Sequence, residues 1–335
     1  MLAHLPLFQH KIYVSAYATE AVPKDSHKVR TYRNGLEFIF HSLWYLPLLL
    51  WQINKDFKNG HHTVYFPTFH HWNLVILLLA KWKGKRSIYT VHNGKLHAGE
   101  DSLLNQKLQN WCIMLADELI FLTKYVERQT IESLPIRGKT HLILHSLLEL
   151  PGLQFIHRQL PTHPKILFLG RIERYKGLEL LLEAISGIPE AHISGLTIAG
   201  KAAYPILLHA GLKNIHLINK RSTESEIVEL LETHDILVLP YLDATQSGIL
   251  TLAIRAGLPC VITRVGGLPE QLEEQEAVFV VPTSEGIRRG IHDLIQQPNL
   301  YAAINKKLRL KANDPGWEKA GEKLTTIILK TLPSQ

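Results

Sequence analysis

Short apolar runs alternate with longer helical runs along this chain, and the alternation occurs as two successive sets. Strands that are apolar on both faces need helices on both sides, so this pattern dictates parallel sheets joined by crossover helices. In the first set the strand candidates are residues 11–16, 28–33, 63–67, 87–92, 118–123 and 141–145, with helical runs at 72–83 and 102–115. Residues 149–164 then break the pattern with Pro151, Gly152, Pro161 and Pro164 and read as a connection. The second set places strands at 166–169, 196–199, 215–218, 236–239, 261–263 and 278–281, with helices at 178–185, 224–232, 249–256 and 286–295. The fold class is therefore α/β, with two doubly wound Rossmann-like domains whose strand C-terminal ends face each other across a cleft. The expected boundaries are 1–150 and 151–312. A last helical run, 317–332, follows Asp314-Pro315-Gly316 and belongs to neither set; the expectation for 313–335 is a helix that returns to the first domain.

A length of 335 residues suits two such domains, and 46% hydrophobic with 20% charged residues describes a globular chain. The two cysteines, Cys112 and Cys260, sit in apolar contexts and read as buried thiols, not a disulfide or metal pair. The formal charge of +7 is compatible with nucleic acid, anionic lipid or a phosphorylated substrate. The positive residues read as scattered, and no stacked aromatic–basic motif of a nucleic-acid reader is present, so no nucleic-acid partner is expected. Residues 38–53 form the most apolar window, with Trp44, Tyr45 and Trp51, but the window is short for a span and Pro47 interrupts it. The expectation is a buried helix on a sheet; the alternative is a patch that dips into an anionic membrane surface. No leader or cleavage site is seen before it, so the expected location is cytoplasmic, with the inner face of the membrane as the alternative setting.

Two loops carry the chemistry. Residues 170–177 (GRIERYKG) connect an apolar strand to a helix, where ligands of open α/β sheets bind. Arg171 can grip phosphate oxygens bidentately and Lys176 can add a point charge. Residues 240–270 run through a small-residue loop into a helix that starts at Gln246-Ser247-Gly248-Ile249. Ser247 suits an N-cap, Gly248 allows close approach, and the amides of Gly248, Ile249 and Leu250 can hold a phosphate. Asp243 can hydrogen-bond sugar hydroxyls or merely start the turn. His92 ends a first-domain strand in TVHNG and points to the expected cleft. His61, His62, His70 and His71 fit no standard zinc spacing and read as loop residues, so no metal site is expected. Absence of D-x-D, G-x-S-x-G and G-x-G-x-x-G argues against metal-chelated sugar transfer, a hydrolase elbow and a dinucleotide fingerprint.

In this order and spacing the segments TVHNG, LADELIFLTKYV, ILHS, GRIERYKGLELLLEAI, HDILVLPY, AIRAGLPCVITRVGGLPE and GWEKAGEKL resemble the retaining glycosyltransferases of the GT-B fold, family 4. The resemblance covers nearly the whole chain. It implies metal-independent transfer of a sugar from a nucleotide-sugar, a co-substrate in place of any cofactor, to a glycan or lipid-linked acceptor in cell-surface polysaccharide or glycolipid assembly. By matched position Arg171 and Lys176 would hold the donor diphosphate. His92 would contact the transferred sugar, and the amides at Gly248 to Leu250 would meet the distal phosphate or the sugar. Base recognition would use backbone around 200–204, with Gly170, Gly200 and Lys201 on the nucleotide side.

The chain departs from that family twice. Its Glu-x7-Glu pair falls here on Ala244 and Leu252, so Asp243 would take over the first Glu's sugar contacts and the ribose contact has no evident replacement. The opening MLAHLPLFQHKIYVSA resembles the end of the family's first helix and its second strand, so the expectation is a first domain without its usual first strand and Gly-rich loop. Either the reading frame starts late or that domain is rebuilt. Two other functions remain open on sequence: a GT-B-fold sugar-nucleotide epimerase, which needs more cleft carboxylates than these loops hold, and a degenerate binding subunit.

Overall fold

The computed structural model describes residues 11–17, 26–95, 103–208, 214–314 and 316–329. Residues 1–10, Ser102, Pro315, the Trp317 side chain and residues 330–335, on which parts of the sequence reading fall, lie outside the described residues. Every strand pairing among the described residues is parallel.

The first domain opens with a two-stranded pair, β1 (Tyr13–Ser15) and β2 (His27–Val29), followed by the 24-residue α1 (Gly35–Lys58). Asn34 caps α1 by accepting the Glu37 amide. A four-stranded sheet follows in the order β3 (Thr63–Phe66), β4 (Arg86–Val91), β5 (Glu118–Phe121) and β6 (Lys139–Leu142). Helices α2 (Asn73–Trp82), α3 (Leu103–Leu115) and α4 (Lys124–Ser133) connect them. All of β5 and most of β4 are buried, which is why they read as continuous apolar runs.

The second domain contains β7 (Lys165–Leu169), α5 (Leu178–Ser186), β8 (Gly195–Ala199), β9 (Ile215–Ile218), α6 (Glu224–Thr233), β10 (Ile236–Leu239), α7 (Gly248–Ala256), β11 (Cys260–Thr263), β12 (Val278–Val280), α8 (Ser284–Gln296) and α9 (Pro298–Ala312). Its sheet order is β9-β8-β7-β10-β11-β12. Strand order reverses between β7 and β10, and the loops leaving these two strands are residues 170–177 and 240–247. A doubly wound sheet binds its ligand at that reversal, because the two loops diverge there and leave a crevice.

The connection between the domains is anchored by one buried cation. Arg158 donates to the carbonyls of His234 (2.6 Å), Leu231 (2.6 Å) and Ala256 (3.5 Å), which lie at the C-terminal ends of α6 and α7. Orphan carbonyls and the negative ends of two helices thus meet a single guanidinium. The last helix, α10 (Gly316–Leu329), buries Ala320, Leu324 and Ile327 against Ile88 and Ile120 of the first sheet. Arg86 fastens its end by donating to the carbonyls of Ile327 (2.8 Å) and Ile328 (3.1 Å).

The apolar window within α1 differs from the expected fully buried helix. Leu49, Ile53 and Phe57 are in the core, but Trp44 and Trp51 on the opposite side are each 63% exposed. Two apolar faces were packed into one helix, and the domain covers only one of them.

Candidate active site

Loop 170–177 and loop 240–247 are locked together by backbone contacts that only glycine permits. Gly177 has φ 64°, and a Cβ there would lie 2.1 Å from the Pro240 carbonyl oxygen. The Leu242 amide donates to the Tyr175 carbonyl (2.7 Å), and the Tyr175 and Tyr241 rings meet edge to face. Beneath them Gly200, at φ 154°, lets the turn after β8 approach the Gly170 carbonyl, since a Cβ would stand 1.8 Å from that oxygen. Lys201 serves this turn through its backbone: its carbonyl accepts the Ile172 amide (3.0 Å) while its side chain is exposed.

Residues from the two loops converge on Gly170. The space of a Cβ at Gly170 would be 3.0 Å from Lys176 Nζ and 3.4 Å from Ile249 Cγ1. The lysine ammonium also lies 5.1 Å from the centre of the Tyr241 ring. A cation and the first turn of α7 therefore border one spot at the sheet's switch point. Arg171, on the same loop, is 62% exposed, with its guanidinium 3.8 Å from the Glu173 carboxylate.

The N-terminus of α7 needs a correction to the three-amide reading. Ser247 Oγ accepts the Leu250 amide (3.3 Å), and the Ser247 amide donates to Gln271 Oε1 (2.7 Å). Ser247 and the Leu250 amide are thus spent on the cap, because a cap side chain satisfies a donor of the first turn. The amides of Gly248 and Ile249, the first two of α7, are not taken up by the Ser247 cap. Gln246 adds an enclosed side-chain oxygen with no donor.

Across the domain seam, His92 directly follows β4 and its Nε2 lies 2.8 Å from the Pro67 carbonyl. A carbonyl only accepts, so Nε2 is the donor in this contact, and Nδ1 is the ring nitrogen left outside it. The adjacent Asn93 accepts from the Thr245 hydroxyl (2.7 Å), which ties the His92 turn to the loop holding Asp243. Asp243 hydrogen-bonds the Tyr125 hydroxyl of α4, whose pKa is raised by burial and then by that carboxylate. Glu270 completes the seam by accepting the amides of Lys124 (2.6 Å) and Tyr125 (2.7 Å) at the N-terminus of α4. His145 is also close enough to His92 to feel its charge; burial first, then that neighbour, lowers its pKa.

Sequence reasoning missed Asn93, Tyr125, Thr245 and Glu270. Glu270 and Tyr125 stand 145 residues apart, so no local spacing could signal them. The loop histidines have partners of their own: His71 bonds Tyr32 and Asn105, and His70 Nδ1 accepts the Trp72 amide (3.2 Å).

This geometry has known counterparts. Residues 163–297 match the family described as Glycosyl transferases group 1. The structure superposes on sucrose-phosphate synthase from Thermosynechococcus elongatus with a TM-score of 0.68 and 16% identity, covering 95% of this chain and 87% of that one. It superposes on Anabaena HepE in complex with UDP at a TM-score of 0.64 and 15% identity, covering 90% of each chain. The chain has the GT-B fold. In sequence, this GT-B chain is 25% identical to spore coat protein SA of Bacillus subtilis over 193 residues, 51% of each protein. It spans about half or less of the length of the curated relatives it matches.

Proposed function

We propose that this chain transfers a sugar, with retention and without a bound metal, from a nucleotide-sugar to a glycan or lipid-linked acceptor on the cytoplasmic side. The observation that carries this reading is the meeting of Lys176 Nζ and the first turn of α7 beside Gly170, at the reversal of strand order. A diphosphate placed there would meet the lysine, the amides of Gly248 and Ile249, and the positive end of the α7 dipole. Arg171 would add a second cation by turning from the largely enclosed Glu173 carboxylate, 3.8 Å away. The likeness to the UDP-bound HepE fold makes a nucleoside diphosphate the first ligand to try.

The proposed chemistry is electrostatic. The bond from the anomeric carbon to the diphosphate oxygen breaks as the acceptor oxygen attacks on the same face, and the acceptor proton passes to the departing phosphate. Preorganised positive groups stabilise the charge that grows on that phosphate. His92 Nδ1 would accept a hydroxyl of the transferred sugar, and Asp243 and Gln246 Oε1 would take others. Tyr125 and Glu270 would hold the two domains in register around that sugar.

Titration calorimetry with UDP-, GDP- and ADP-sugars tests the proposal. One donor should bind, and Lys176→Ala and Arg171→Ala should each weaken it by about ten- to a hundredfold, the worth of one charge-assisted hydrogen bond. Absence of binding to every donor by a folded preparation would remove the reading.

A further inference from the structure

We propose that the outer faces of α1 and α2 seat this protein on an anionic lipid bilayer. Along α1, Ile39, Phe40, Leu43, Trp44, Leu48 and Trp51 are each more than half exposed and recur at helical spacing. On α2, which packs beside α1, Val75, Leu78 and Trp82 are exposed at a three- and four-residue spacing.

Charge selects the occupant. Residues 26–95 hold ten Lys or Arg and two Asp or Glu, so the formal +7 of the whole chain falls within the segment that carries these helices. The basic residues themselves are spread along the chain, and it is the scarcity of carboxylates in this segment that concentrates the net positive charge there. Of the two carboxylates, Glu37 is paired with Arg33, and Asp56 is buried against Lys11 and Tyr13. The ammonium of Lys83 sits 3.9 Å from the centre of the Trp82 ring, and that of Lys55 sits 5.7 Å from the Trp51 ring. Rings that enter the interface with a lysine alongside present an apolar body to acyl chains and a cation to lipid phosphate.

The same features exclude other occupants. By length and apolarity the 24-residue α1 is enough to cross a bilayer, unlike the shorter window read from sequence; Leu49, Ile53 and Phe57 pack in the domain core, and lying flat on the bilayer keeps those contacts. A second copy docked face to face would oppose two surfaces of the same positive sign. The surface also borders the site: Phe38 of α1 stacks on Tyr32 and His71, in the segment whose Pro67 carbonyl orients His92. Given the proposed transfer reaction, a lipid-linked acceptor would therefore enter beside His92.

Vesicle flotation of the full chain tests the surface. The protein should float with phosphatidylcholine vesicles containing phosphatidylglycerol, weakly or not with phosphatidylcholine alone, and less at high salt. The double variant Trp44→Glu/Trp51→Glu should bind about a hundredfold more weakly, with a melting curve that shows it folded. Bromine-labelled phosphatidylglycerol should quench the wild-type tryptophan fluorescence, a readout that needs no variant. No flotation with anionic vesicles, or equal flotation of the variant, overturns the proposal; so does a dimer in light scattering that the double variant dissolves. Flotation without binding of any nucleotide-sugar leaves the surface standing and removes the transfer reaction instead.

Discussion

Lys176 is the residue on which the site turns, since its ammonium is the one shown beside both Gly170 and α7. Lys176→Met keeps the stem that packs near Tyr241 and deletes the charge, so the fold should melt normally while nucleotide affinity falls by about ten- to a hundredfold, as calorimetry would show. Gly266 is a backbone requirement. At φ 54° it sits where a Cβ would fall 1.7 Å from the Ala244 carbonyl oxygen. Gly266→Ala should cost about 2 kcal/mol or more and displace the loop that carries Asp243, measured by chemical denaturation alongside donor binding. Sequence alone pointed to glycine-rich turns here. It did not show that one glycine makes room for another loop's carbonyl, because that neighbour comes from a different strand end.

Among the elements, α6 and α7 share an unusual terminus. Arg158 is buried among carbonyls, and its pKa is lowered by burial, yet it remains the donor for two helix ends. Arg158→Met fills the volume but leaves the His234 and Leu231 carbonyls without this donor, while Ala256 keeps the Ile156 amide, so stability should drop by about 3 kcal/mol, visible as a lowered melting temperature. Helix α1 shows the reverse situation. Its length and apolarity were legible in the sequence, but which face meets the core was not. Pairing of Asp56 with Lys11 and Tyr13, together with Leu49 and Ile53 in the core, fixes the helix rotation and turns Trp44 outward.

At the level of the molecule, the two domains meet through Glu270 on α4, Asp243 on Tyr125 and Thr245 on Asn93. Glu270→Ala removes a cap from α4 that belongs to the other domain, so the closed arrangement should lose about 1 kcal/mol and small-angle scattering should report a larger mean radius. Acid should weaken the whole fold as well. Burial first, then His71, pushes His70 down to about 4, and burial also lowers His145 and His234. An unfolded histidine takes its proton near 6.5, so between that value and about 4 the unfolded chain binds more protons than the native one. The stability from a neutral His70 is therefore complete above about 6.5 and declines as pH falls, by on the order of 3 kcal/mol at the lower limit. Urea melts from neutral to acidic pH should show this decline, and His70→Asn, which preserves an acceptor for the Trp72 amide, should flatten it.

Legible in the sequence were most of the segments that become buried parallel strands, the cap at Ser247, and the loops that carry glycine and cation together. These are local matters of periodicity, capping and backbone freedom, and each is written within a few neighbouring residues. Tertiary structure alone decided the reversal between β7 and β10, the outward face of α1, and the pairing of Glu270 with an α4 that lies 145 residues earlier. Strand order and long-range partners are chosen by how whole layers pack, and that free energy is spread over the core instead of residing in any short run of residues.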